Sequence, residues 1–453
     1  MFQRFFEEGL AQASFLIGCD RTHEAIVIDP RRDASIYAAA AAQAGATIVG
    51  AIETHVHADF VSGARELASS GARVIAGPGA NLAFDHHEVR DGEERSLGDL
   101  TLTFFHTPGH TFEHVAVGVH SPLAPPRLFT GDLLFVGAVG RPDLVGETET
   151  RQLAGQLFDS LQRVMKMDGR IELHPGHGAG SLCGAGIGKE PSTTIRREAD
   201  QNPLLKYTNR DEFIAAVMAD LPDTPPYFAR MKQVNQHGPD VLGLVAGAPR
   251  LASLRPAAAA ALAADGAIVV DVRPGAAFAA GHPYGAINLA FGSKVGYWGG
   301  WVIPADAPVI LLSEDAAQAR DAALQLLRVG LDRIEGVISG GYEGWTGAGL
   351  PTATLDQMPA ADLRAAASRG DLHVVDVRSA KEFRAGHLDG AVNVPAGEIT
   401  ERAAELPAGG TIATVCEGGY RSMLAASLLA REGVARIINV TGGMAAVRAL
   451  ETT

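Results

Sequence analysis

The chain has 453 residues, 47% hydrophobic and 20% charged, with a formal net charge of −14. At a prior of about 150 residues per domain, that length predicts roughly three packed domains. The acidic balance disfavours a nucleic-acid ligand, since Arg31-Arg32 and Arg196-Arg197 are isolated pairs and no basic patch stands out. The N-terminal apolar run is broken early by Glu7-Glu8, a poor secretory signal, and no stretch of 18 apolar residues predicts a membrane span. Three sparse cysteines, Cys19, Cys183 and Cys416, do not make a disulfide framework, so a reducing cytoplasm is the expected setting.

In chain order, short strands are predicted at 47–53, 72–76, 100–106, 114–120 and 127–130, and helices at 149–167 and 211–220. Asn209 followed by Glu212 is a capping signal for the second helix. Four polar loops follow the strands: Thr54-His55-Val56-His57-Ala58-Asp59-Phe60, Thr107-Pro108-Gly109-His110, Thr130-Gly131-Asp132 and His174-Pro175-Gly176-His177. Strands of one sheet deliver their ends to a common edge, so these loops are expected to converge. Imidazole and carboxylate donors together suit Zn, Fe or Mn. A Gly- and Pro-containing linker is expected at 235–248.

The second half carries a repeat. Asp271/Asp376, Arg273/Arg378, Phe278/Phe383, Gly281/Gly386, His282/His387 and Asn288/Asn393 pair at an offset of 105 residues, which indicates a duplicated domain. Strands at 309–312 and 411–415 precede helices at 316–329 and 422–431, an alternation that implies parallel sheets covered by helices. Gly340-Gly341 and Gly442-Gly443 close the two copies.

The loop order in residues 1–235 resembles the metallo-β-lactamase fold, and most closely its glyoxalase II and persulfide dioxygenase branch. Pro191-Ser192-Thr193-Thr194-Ile195, Asn202-Pro203-Leu204 and Gly140-Arg141-Pro142-Asp143 share that resemblance. Dinuclear hydrolases of this fold continue the first motif with a histidine that binds a second metal, where this chain has Phe60. A phenyl ring offers no lone pair. The resemblance then implies His55, His110 and Asp132 as a facial set for one Fe(II), with open positions for substrate and O2. His57 and Asp59 would orient ligands or substrate, and His177 would do so with a catalytic part. Arg141 would hold an anionic substrate tail or take part in a structural Arg-Asp pair. Cys183 would contact substrate or be an inert core thiol.

Cys416-Glu417-Gly418-Gly419-Tyr420-Arg421 stands between a predicted strand and a predicted helix. Loop N–H groups, the helix N-terminus and Arg421 all favour a thiolate there. This loop and the upstream Asp376-Val377-Arg378 and Gly386-His387 resemble the rhodanese family, which implies Cys416 as a sulfur carrier assisted by Arg421. In the first copy Ser313 falls where Cys416 sits in the second, beside Glu314 and Asp315. A hydroxyl forms no persulfide, so that copy is expected to be inactive.

The expected architecture is α/β: an αββα metallo-β-lactamase-fold domain over 1–238, an inactive rhodanese-like domain over 250–350 and a catalytic one over 355–453, both with parallel sheets. The implied activity oxidises a small persulfide with O2 to sulfite and passes sulfane sulfur through Cys416, giving thiosulfate, in persulfide detoxification. Glutathione and coenzyme A type thiols are the expected partners, and homo-oligomerisation is left open. A glyoxalase II-like dinuclear zinc thioester hydrolase is the enzymatic alternative. A sulfur-responsive binding protein with a vestigial metal site is the non-enzymatic one.

Overall fold

The computed structural model describes every residue except 123, 220, 371, 408, 452 and 453. The chain divides into two compact units, Met1–Pro249 with Leu327–Gly330, and Arg250–Leu326 with Leu331–Thr453.

The first unit holds two six-stranded sheets. One runs Phe2–Glu7, Gln12–Cys19, Glu24–Ile28, Thr47–Ile52, Arg73–Ala76, His87–Glu88 in chain order, antiparallel at first and parallel from Glu24–Ile28 onward. The other is ordered Thr193–Thr194, Glu172–Pro175, Ala124–Gly131, Val115–Ser121, Leu100–His106, Glu94–Leu97. Strand periodicity builds the layers. Phe15 and Ile17 face a core shared with Phe104, Val117 and Phe129, whereas Leu16 between them faces Tyr37, Ala41 and Leu67. Burial on both faces explains why Gln12–Cys19 is buried at every position. Beyond the second sheet, helix Glu147–Val164 turns a stripe of Leu153, Leu157, Leu161 and Val164 inward, toward Leu128 and Leu173. The order is helix, sheet, sheet, helix.

The strands and helices lie within a few residues of the sequence reading. Asn209 Oδ1 accepts from the N–H groups of Asp211 and Glu212, so the expected cap forms. That helix runs Arg210–Ala219, and its expected end at 220 lies outside the described residues. The linker expected from 235 requires correction. Helix Tyr227–His237 covers its start, and the Leu242 and Leu244 N–H groups donate to Glu66, which ties this stretch into the first unit.

The second unit contains two five-stranded parallel sheets of matching order. These are Ser253–Leu254, Ile334–Ile338, Val309–Leu312, Ile268–Asp271, Ile287–Asn288, and Asp356–Pro359, Ile437–Thr441, Ile412–Val415, His373–Asp376, Val392–Asn393. The repeated residues form one bonding cassette. Arg273 grips Asp271 through Nε and Nη2 and donates to the Gly281 carbonyl, as Arg378 does with Asp376 and Gly386. Asn288 Nδ2 donates to the carbonyls of Asp271 and Arg273, and Asn393 repeats this with Asp376 and Arg378. The Phe278–His282 and Phe383–His387 rings stack at 3.7 Å in both copies.

Asn288 is buried and Asn393 only half-buried, so the cost of removing the same two bonds should differ. Asn288→Ala is expected to destabilise its sheet by about 2 kcal/mol, and Asn393→Ala by clearly less. Thermal unfolding with amide exchange along Ile268–Asp271 and His373–Asp376 checks this, and equal losses would contradict it.

Candidate metal centre and sulfur site

His55, His110 and Asp132 come together in the first unit with donor atoms within 4.8 Å of one another, all three buried. His110 Nε2 lies 3.5 Å and His55 Nε2 3.8 Å from Asp132 Oδ2. His55 Nε2 and Asp132 Oδ2 have no hydrogen-bond partner although both are buried. Unmatched donors facing each other in a dry interior are costly without a ligand between them, so these residues fit a metal ion.

Neighbouring bonds fix which nitrogen each ring presents. The Asp29 carboxylate accepts from the Thr54 N–H at 2.7 Å and from the Thr54 hydroxyl at 2.9 Å. With its proton spent there, the Thr54 oxygen accepts from His55 Nδ1 at 2.9 Å, which leaves the lone pair on Nε2. His110 Nδ1 donates to the Arg141 carbonyl at 2.8 Å, with the same result. Burial first, then the neighbouring His57, hold the His55 pKa well below its usual value, and burial also lowers that of His110. Burial alone would raise the Asp132 pKa, but His177, His55 and His110 more than offset it and keep the carboxyl well below its usual range. The set presents two neutral imidazoles and one carboxylate.

Asp132 is held from two further sides. Its N–H donates to His114 Nε2, and His177 Nδ1 donates to its Oδ1 at 2.7 Å. His177 Nε2 reaches Asp59 Oδ2 at 2.8 Å, and Cys183 completes a second group of buried donors with these two. Burial pushes the Cys183 thiol up to about 12. His57 turns elsewhere, with Nε2 3.2 Å from Asp29 and 3.3 Å from Glu53. Burial opposes its charge, yet those carboxylates raise its pKa to about 10. Phe60 is fully buried with its ring 4.3 Å from that of His57.

Of the two readings of Arg141, the structure shows the Arg–Asp pair. Its side chain is 1% exposed and committed to Asp143 through two bonds, to Thr224 and to the Leu182 carbonyl. Its contribution to the site is the backbone carbonyl that orients His110. Two residues escaped the sequence reading: Asp29 and Asn235. Asn235 donates to the carbonyls of His57 and Phe60 and accepts from the Ser62 N–H, which pins the first motif loop. The Asn209 cap signal had a short-range pattern; these contacts span the chain and had none.

In the second unit Cys416 follows strand Ile412–Val415 and precedes helix Tyr420–Arg431. Its buried Sγ accepts from the Gly419 N–H at 3.1 Å and lies 3.5 Å from the Ser422 hydroxyl. Arg421 is not an uncommitted cation beside the thiol: its guanidinium makes two 2.7 Å bonds to Glu382. Burial would raise the Glu382 pKa, but Arg421 and the Ser379 contacts bring it to about 2. In the first copy Ser313 follows strand Val309–Leu312 in the corresponding place, and its hydroxyl donates to the Asp315 carbonyl. Asp315 caps the next helix through the Ala317 and Gln318 N–H groups.

Thr54→Val should lower metal affinity by roughly 10- to 100-fold, with Thr54→Ser near wild type, because the hydroxyl sets the His55 tautomer. Chelator competition on purified protein measures this. Because the Glu382 pKa is depressed, its stabilising contribution is present above the ordinary carboxylate range and lost only as pH falls toward about 2. Its carboxyl carbon shift should therefore stay flat above about pH 4.5.

Residues 8–177 match the metallo-beta-lactamase superfamily, and 255–348 and 359–450 match the rhodanese-like domain. A hydroxyacylglutathione hydrolase of Francisella tularensis is 32% identical over 175 residues, 38% of this chain. The chain spans 65% of that relative's length. The crystal structure of a metallo-beta-lactamase from Staphylococcus aureus is 31% identical with a TM-score of 0.65, covering 74% of this chain and 98% of its own. That of ETHE1 from Myxococcus xanthus is 27% identical with a TM-score of 0.46, covering 54% and 99%. With its fold, its buried His/Asp donor set, the family matches and the likeness to the Staphylococcus aureus structure, the chain belongs to the metallo-beta-lactamase superfamily and carries two rhodanese-like domains after that fold in the sequence.

Proposed function

We propose that the protein is a mononuclear non-haem iron persulfide dioxygenase joined to a sulfurtransferase. A persulfide R–S–SH, O2 and water become sulfite, R–SH and two protons, and sulfane sulfur moves through Cys416 to give thiosulfate. The observation that carries this reading is Phe60. It stands where dinuclear members of the resembled branch place a second-metal ligand, it is fully buried, and it has no donor atom. Two imidazoles and one carboxylate are the ligand set of Fe(II) oxygenases, and they leave positions for a substrate sulfur and O2.

A ferrous ion, one per chain, would be held by His55, His110 and Asp132 and would supply coordination sites and electrons for O2 activation. His55 and His110 offer neutral nitrogens, and Asp132 balances charge. His177 bridges Asp132 and Asp59 and holds both in place. Cys183, grouped with Asp59 and His177, would meet the substrate sulfur on this reading. Cys416 carries the sulfane sulfur in a loop where the Gly419 N–H stabilises charge on Sγ. The thiol R is of glutathione or coenzyme A type, and the setting is a reducing cytoplasm.

A second reading, a dinuclear zinc thioester hydrolase, is favoured by the Asp59–His177–Cys183 donor group and by likeness to a hydroxyacylglutathione hydrolase. Metal analysis and two assays on the full chain separate them. The dioxygenase reading expects one iron per chain, O2 uptake with glutathione persulfide, and no thioester cleavage. His55→Ala should reduce that uptake by more than about 100-fold. Two zinc ions per chain with thioester hydrolysis would overturn it.

A further inference from the structure

The loop after Cys416 carries an acid, Glu417, at the mouth of a site meant to serve anionic sulfur species. Its carboxylate is bridged by two guanidinium groups, pairing with Arg448 Nη2 through Oε1 and lying 3.7 Å from Arg378 Nη1 through Oε2. The remaining nitrogens of Arg378 are committed to Asp376 and the Gly386 carbonyl. Arg421 is committed to Glu382. Arg448 stands one turn along helix Gly443–Glu451 from Met444, whose N–H donates to the Cys416 carbonyl at 2.8 Å. The helix thereby fixes Arg448 relative to the reactive loop. Arg448 and Met444, with Arg364, Arg378, Glu382 and His387, line a cleft of about 360 Å³.

Arg448 and Glu417 are 49% and 42% exposed. An ion pair that open to water is weak, so a more highly charged anion can displace the carboxylate. We propose that Arg448 and the Nη1 edge of Arg378 form the seat for a small sulfur oxyanion, sulfite as acceptor, and that Glu417 is the resident anion it displaces. This rests on the reading of Cys416 as a sulfur carrier and adds the residues that select its acceptor. Seated sulfite attacks the outer sulfur of the Cys416 persulfide with its lone pair. A new S–S bond forms to the sulfite sulfur, the Sγ–S bond breaks, and its electron pair leaves on Sγ as thiolate. The transferred sulfur departs in thiosulfate and its proton goes to solvent, so no external oxidant is needed.

The test uses the full chain loaded with one sulfur on Cys416 by an alkyl persulfide, with discharge to sulfite or to neutral 2-mercaptoethanol followed by protein mass. Sulfate is added in a third arm as an unreactive competing oxyanion. Arg448→Ala should lower the preference for sulfite over the thiol by about five- to tenfold. Arg448→Lys should recover part of it, Glu417→Gln should raise it, and sulfate should inhibit the sulfite arm selectively in wild type. An Arg448→Ala protein that slows both acceptors equally, or neither, overturns the proposal while leaving the carrier reading intact. A wild-type chain that takes no sulfur on Cys416 sinks the carrier reading, and this one with it.

Discussion

A carboxylate in a dry interior must be matched on every side, and at Asp132 that requirement organises the first unit. The residue is fully buried and ionised. One oxygen is taken by His177, the backbone N–H by His114, and the other oxygen faces His55 and His110. The partners come from three loops, one after Thr47–Ile52 in the first sheet and two in the second, after Leu100–His106 and after Glu172–Pro175, so the two sheets must keep their relative setting for the charge to remain compensated. Glycine contributes here as well. Gly131 has φ of 47°, and a Cβ there would lie 2.6 Å from Thr54 Oγ1 and 2.7 Å from His114 Nε2. The tight turn that delivers Asp132 therefore has no space for a side chain.

The legibility of the molecule from its sequence follows the range of the interactions. Strand positions were readable because alternation is local, and the motif loops because His, Asp and Gly cluster within a few residues. The groups that set ligand tautomers were not readable. Asp29 acts on His55 through Thr54 from 25 residues away, and Asn235 reaches Phe60 across 175. No spacing rule connects such positions. Arg141 shows the converse: a charged residue near a motif suggested substrate, whereas its burial against Asp143 reveals a support.

Around Cys416, cations are abundant but committed. Arg421 faces Glu382, Arg378 faces Asp376, and Arg448 faces Glu417. The sequence reading credited Arg421 with direct help to the thiolate, and the structure assigns more of that neighbourhood to the Gly419 N–H. Backbone dipoles stabilise a sulfur anion without introducing a mobile charge, which on the proposed carrier reading suits a group whose load changes during turnover.

The cassette shared by the two copies has a consequence for how such a chain can change over time. The Asp-Arg-Asn bonds tie strands and loops together without touching the residue after strand Val309–Leu312 or Ile412–Val415. The fold-holding cassette and the reactive thiol are thus stored in separate residues. A duplicated copy is free to lose its thiol, shorten its loop and drift in surface charge while still folding, because nothing that secures the sheet is written there. The Ser313 copy, with a hydroxyl where the other copy has its thiol, has the form such a history would leave.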